Sequence, residues 1–175
     1  SLVELNLSQN QFCTLGDLDC PSLEILNVSQ NKICFVSPNA FTKCPKLKSV
    51  DFTENRIRSF KPETFKGLGC LKTLKLDLNQ MTSIPEGVFA DLTSLESLTV
   101  GENSIENIEG IIDIPSLVDL DLHQTALMNL EDIQILQELK QLNSVNLDGT
   151  PCTNLQTYRL DLILLLPWVV KIDDE

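Results

Sequence analysis

Histidine, tryptophan and tyrosine each occur once in the 175 residues, as His123, Trp168 and Tyr158. A single histidine leaves no imidazole pair, no CxxC occurs, and the six cysteines (13, 20, 34, 44, 70 and 152) lack the ligand spacing of a zinc site. No glycine-rich phosphate loop precedes a helix, and no nucleophile motif is visible. Acidic side chains are plentiful but are not arranged as an oxygen cage for calcium. The sequence therefore predicts no catalytic residues, no metal and no cofactor. Its longest apolar run, 160–172, is too short to cross a bilayer and is interrupted by Asp161 and Pro167. It reads as a buried capping helix, without membrane insertion.

Positive charge is scarce in the second half. Residues 91–175 carry 16 acidic against 3 basic side chains, whereas residues 1–90 carry 9 against 10, so the net charge of −12 arises in the C-terminal half. The basic residues crowd together as Lys43, Lys46, Lys48, Arg56, Arg58, Lys61, Lys66, Lys72 and Lys75. Two readings stay open: a solvated surface with chance clustering, or an electrostatic footprint. In the second, the acidic end attracts a basic partner and the basic middle an acidic one, and copies of the chain pack head to tail.

What the chain has in abundance is one pattern, LxxLxLxxNxL, most complete at Leu2, Leu5, Leu7, Asn10 and Phe12. It starts again at Leu23, Leu47, Leu71, Leu95, Leu117 and Leu142. Leu5 and Leu7 flank Asn6, so both leucines fall on one face of a short strand and Asn6 on the other. The pattern resembles the leucine-rich repeat. That resemblance implies an α/β, right-handed solenoid with a parallel concave sheet of about seven strands, short turns or helices on the convex side, and a helical cap near 150–175. It also implies a ladder in which buried Asn10, Asn31, Asn55, Asn79 and Asn103 bond the backbone of neighbouring coils, with Thr125 replacing asparagine in the sixth. The chain opens inside a repeat, so residues 1–175 read as one domain excised without its N-terminal cap and ending near Glu175.

The segments between motif copies change style. Repeats from Leu23, Leu47 and Leu71 are 24 residues long and carry Phe41, Phe65 and Phe89 in one register, with Pro38, Pro62 and Pro85 opening the return turns. They resemble the repeats of Toll-like and lamprey variable lymphocyte receptors, which are extracellular. From Leu95 the rhythm becomes NSIENIEGIIDIPSL, similar to a class common inside cells, and its convex side should narrow to a short helical turn. In the sixth repeat Ile133, Leu136, Leu139 and Leu142 predict an amphipathic helix capped by Asn129. The last unit, with TNLxxYR, LLP and a terminal ID, resembles the cap of acidic nuclear phosphoproteins, with Tyr158 and Trp168 in its core.

Cys13 and Cys34 share one slot of the repeat, and Cys20 and Cys44 another. Recurrence in register predicts small hydrophobes filling the core, reduced thiols and a reducing compartment. The alternative is a secreted or cell-surface domain with bridged cysteines. The sequons at Asn6 and Asn27 arise from the LNLS-type motif and read as unused.

Binding remains, and the outward positions of the strands say where. The strand-centre column is Asn6, Asn27, Asp51, Lys75, Thr99, Asp121 and Asn146, flanked by Lys72, Glu102, Asp119 and His123 among others. Seven strands stacked at about 4.8 Å give a surface roughly 29 Å long. The sequence thus predicts a non-catalytic module or intracellular scaffold, cytoplasmic or nuclear. It would engage a protein partner, basic toward the C-terminal half, and no nucleic acid. The alternative is an extracellular pattern-recognition or adhesion domain.

Overall fold

The computed structural model describes residues 2–173. Its strands in chain order are β1 (Glu4–Asn6), β2 (Thr14–Leu15), β3 (Ile25–Asn27), β4 (Phe35–Val36), β5 (Ser49–Asp51), β6 (Thr73–Lys75), β7 (Ser97–Thr99), β8 (Asp119–Asp121), β9 (Ser144–Asn146) and β10 (Lys171–Ile172). Eight of them form one parallel sheet in the order β1-β3-β5-β6-β7-β8-β9-β10. Leu5, Leu26, Val50, Leu74, Leu98, Leu120 and Val145 lie opposite one another in successive strands, which confirms the repeat register.

The seven repeat strands are joined by an eighth. The cap adds β10, in which Ile172 pairs with Val145 and takes the motif's apolar slot. A second, two-stranded parallel sheet, β2 with β4, lies on the return path of the first two coils.

The core is a stack of leucines from the sheet side and phenylalanines from the convex side. Phe41, Phe65 and Phe89 are fully buried and form the expected column, with ring centroids 6.2 Å and then 5.5 Å apart. The segments that carry them are turns over 38–43, 62–67 and 86–91. The fifth coil narrows to a 3₁₀ turn, Glu109–Asp113, as its shorter period predicts.

In the sixth coil the amphipathic segment is 3₁₀, Leu130–Glu138, and not an α-helix. The reason lies in the spacing: Ile133, Leu136, Leu139 and Leu142, all buried, recur every third residue, which suits three residues per turn. Its start is fixed by the Asp132 carboxylate, which accepts the Met128 and Asn129 N–H groups at 2.9 Å each.

The single α-helix among the described residues is α1 (Tyr158–Leu165) in the cap. It buries Tyr158 and Leu162, but Leu160, Ile163 and Leu164 are 59%, 47% and 69% exposed, so the expectation of a buried helix holds for one face only. Tyr158 donates to Asp173, and the Trp168 indole N–H donates to Leu139 O at 3.3 Å with the Lys140 Nζ 4.1 Å above its ring.

The asparagine ladder runs from the second to the fifth coil. The Asn55 amide donates to Phe52 O in its own coil and to Val28 O in the preceding one, while its Oδ1 accepts Ile33 N–H. Asn31, Asn79 and Asn103 repeat the arrangement. Asn10 departs from expectation: it is exposed and bonds Leu7 O and Ser8 O within its own coil. Thr125, with one hydroxyl proton, serves Leu122 O of its own coil. The residue before each ladder position takes a left-handed turn, with φ from 51° to 58° at Gln9, Gln30, Glu54, Leu78, Glu102 and Gln124, and 71° at Gly149.

Two further expectations are corrected. Phe12 is 45% exposed: among the described residues only the second coil packs against the first. Cys13 and Cys34 are also exposed, on the flank beside β2 and β4, so of the four cysteines read as core only Cys44 is buried, with Cys20 intermediate; of the other two, Cys152 is buried and Cys70 exposed. The predicted domain ends at Ser1 and Glu175 lie outside the described residues.

Candidate functional site

Asn6, Asn27, Asp51, Lys75, Thr99, Asp121 and Asn146 are consecutive neighbours across the sheet, but each is the last residue of its strand rather than its centre. Much of this column does backbone work. Asn6, Asn27, Asp51, Asp121 and Asn146 each accept, through Oδ1, the N–H two residues on, at 2.9–3.0 Å. A short acceptor at this place satisfies an amide where the strand has ended. The column's Asn/Asp bias is therefore structural in origin, and this was not read from the sequence.

Lys75 and Thr99 break the rule, and Asp77 compensates. From the fourth coil its Oδ1 accepts Gly101 N–H of the fifth at 2.8 Å, and its Oδ2 accepts the Thr99 hydroxyl. Burial raises the Asp77 pKa, against the lowering effect of these hydrogen bonds, and the nearby Asp121 charge adds to the rise.

Beside Asp77 sits His123, over a floor that only glycine permits. A Cβ on Gly101 would lie 2.1 Å from the imidazole. The ring's Nδ1 is 2.8 Å from Asp121 Oδ1 and its Nε2 is 3.6 Å from Glu102 Oε1. Burial alone would lower the His123 pKa, but the Asp121 hydrogen bond and the charges of Asp121, Asp77 and Glu102 outweigh it, and the net shift is upward. Asp119 is exposed two residues before Asp121 on β8, and with Thr99, Asp121 and Asn146 it lines a shallow hollow of about 310 Å³. A neighbouring hollow of about 530 Å³ includes Asn27, Asp51, Lys75, Asp77 and Thr99.

Three of the predicted basic residues are paired with acids. Lys43 pairs with Asp19 at 2.7 Å, Lys48 with Glu24 at 2.7 Å, and Lys72 with Glu96 at 2.8 Å. Arg56 and Arg58 are set apart on the flank, in a groove with Cys13, Lys32, Cys34 and Gln80. Lys46 and Lys61 are exposed. Lys32 escaped the sequence reading because it precedes the dense basic run, yet its slot, one residue after the ladder asparagine, is the slot of Arg56.

Among the described residues no group of three His, Cys, Asp or Glu side chains is placed to hold a metal ion, and no helix is long and apolar enough to cross a membrane.

A search of curated proteins gave no match. The sequence model for the leucine rich repeat matches residues 21–81 and 70–127, more than half the chain. Solved structures with the same architecture include human 5T4 (Wnt-activated inhibitory factor 1, trophoblast glycoprotein), at TM-score 0.78 and 22% identity over 98% of this chain and 69% of that one. Internalin C2 (inlC2) of Listeria monocytogenes matches at TM-score 0.74 and 24% identity, over 98% of this chain and 70% of its own. An internalin (inlF) of the same organism matches at 0.75 and 24%, over 99% of this chain and 48% of its own, so the chain spans about half its length. At such identities the likeness is one of fold.

Proposed function

The chain belongs to the leucine-rich repeat family, and from that premise we propose that it is a non-catalytic protein-binding module whose concave face, in its acidic C-terminal half, grips a lysine- and arginine-rich segment of a partner. The fold is one that mediates protein–protein interaction.

The observation that carries the reading is the surround of His123. Asp121, Glu102 and Asp77 together favour its protonated form in spite of burial. A surface that draws a proton onto an imidazole is one that favours an incoming ammonium or guanidinium. Asp119 and Glu102 are exposed and available to such a group.

The compartment we propose is a reducing one. The six cysteines stand as free thiols, and exposed thiols at Cys13, Cys34 and Cys70 persist where glutathione keeps them reduced. A secreted or cell-surface role is the second reading, favoured by the phenylalanine column of the 24-residue coils.

The test is titration of a lysine- and arginine-rich peptide by fluorescence anisotropy at several salt concentrations. Glu102→Lys with Asp119→Lys is expected to weaken binding at least ~10-fold and to flatten its salt dependence. Asp121→Asn removes charge while keeping the Oδ1 that caps His123 N–H, so its loss of affinity reports charge and not folding. Unchanged affinity in these variants would remove the concave acidic face as the site.

A further inference from the structure

The flank of the second and third coils carries a groove in which several cations meet with no carboxylate on its walls. It has a volume of about 550 Å³ and is lined by Cys13, Lys32, Cys34, Arg56, Arg58 and Gln80. Elsewhere on the solenoid a lysine that reaches its neighbouring coil finds an acid: Lys43 meets Asp19, Lys48 meets Glu24 and Lys72 meets Glu96. In the groove the same reach ends on amides. Lys32 Nζ donates to Gln11 Oε1 of the first coil at 3.2 Å, and Arg58 Nε donates to Gln80 Oε1 of the fourth at 3.3 Å. These glutamines hold the two cations in place without neutralising them. Arg58, tied through Nε, keeps both terminal nitrogens for another acceptor.

We propose that this groove is a docking site for a phosphorylated side chain of a partner protein. Three cations, two of them planar arginine forks, match a dianionic group with three acceptor oxygens. A single carboxylate is met on this molecule by one lysine. The positive zone is also short. Its cations lie on two adjacent coils, which places them within about 5 Å of one another along the solenoid axis. An extended polyanion would carry most of its charge past these three cations. A compact phosphate does not. The site is separate from the concave sheet and stands whether or not that face binds a basic segment.

The experiment uses the full chain and a short blocked peptide of glycines around one phosphoserine, followed by isotope-edited NMR of the arginine Nε–H groups. Saturable shifts at Arg58 are expected, displaced by inorganic phosphate, with binding at least ~10-fold weaker for the unphosphorylated peptide and for its glutamate version. Arg56→Gln and Arg58→Gln should each weaken the phosphopeptide by roughly tenfold. Arg58→Lys should recover part of that, and Lys43→Gln, on an already paired cation, should change nothing. Equal binding of the glutamate peptide, failure of inorganic phosphate to compete, or an equal loss in Lys43→Gln would overturn the proposal. So would tighter binding of a sulfated oligosaccharide through the same arginines, which would make the occupant a polyanion.

Discussion

Asp77 accepts the backbone N–H of Gly101 at 2.8 Å, so a side chain of the fourth coil finishes the strand end of the fifth. The other strand ends with an Asn or Asp at this place use their own coil's residue. Asp77→Ala should therefore cost about 1–3 kcal/mol, because the Gly101 N–H and the Thr99 hydroxyl both lose their acceptor. Asp77→Asn keeps the acceptor and removes a charge that burial disfavours. Because burial raises the folded-state pKa of Asp77, the folded chain binds this proton more tightly than the unfolded chain. The associated stability is present below the ordinary aspartate value of roughly 3.9 and is lost as pH rises through the folded value. Urea unfolding of the asparagine variant should thus show an advantage over the parent that grows from acid to neutral pH. A difference that is constant with pH would contradict the assignment.

Gly101 and His123 form a second coupled pair. A Cβ at Gly101 would meet the imidazole at 2.1 Å, while no backbone atom appears among its nearest contacts. Gly101→Ala should displace the ring from Asp121, bring the His123 titration midpoint down toward the ordinary value, and destabilise by about 1–3 kcal/mol. Adding His123→Ala should recover most of that loss. At Gly110 the contacts are Pro85 O at 2.2 Å and Ile84 O at 2.8 Å, both backbone, so Gly110→Ala has no such rescue and should cost more. Thermal unfolding of the single and double variants measures both, and equal, additive losses at Gly101 and His123 would deny the coupling.

The period of the leucines made the sheet legible, because alternation around Asn6, Asn27 and Asp51 admits one register. The phenylalanine column was legible for the same reason. What escaped reading depended on geometry between coils. Phe12 carries an apolar identity in a core slot, yet among the described residues its coil packs against the second alone. Ile133, Leu136 and Leu139 fit helical spacing in general and say 3₁₀ only when the strict interval of three is weighed. Asp77 looks like any outward acid until Lys75 and Thr99 are seen to lack the acceptor that the strand end needs. The flank groove was missed because Gln11 and Gln80 gave no sign in sequence that they orient cations.

The ladder predicts a contrast between chemically identical residues. Asn55 is 7% exposed and its amide joins two coils, whereas Asn10 is exposed and bonds its own. Asn55→Ala leaves Ile33 N–H and at least one buried carbonyl without their partner, a loss of about 3 kcal/mol. Asn10→Ala should fall within about 0.5 kcal/mol of the parent. Chemical denaturation of the two variants checks this, and similar losses would mean that the inter-coil bonds add little.

Thiol reactivity tests both the cysteine placement and the compartment. Cys13, Cys34 and Cys70 are exposed, so they should react quickly with an aromatic disulfide reagent in the native protein. Cys44 and Cys152 are buried, and burial raises both thiol pKa values, which lowers their thiolate fraction as well as their access. They should react at the rate of unfolding, with Cys20 between the two groups. Denaturation should then release all six thiols of natively expressed protein. Fast reaction of Cys44 or Cys152 would mean that the core opens locally at those coils. Two or more bridges in the native material would end the reducing-compartment reading and leave the secreted one.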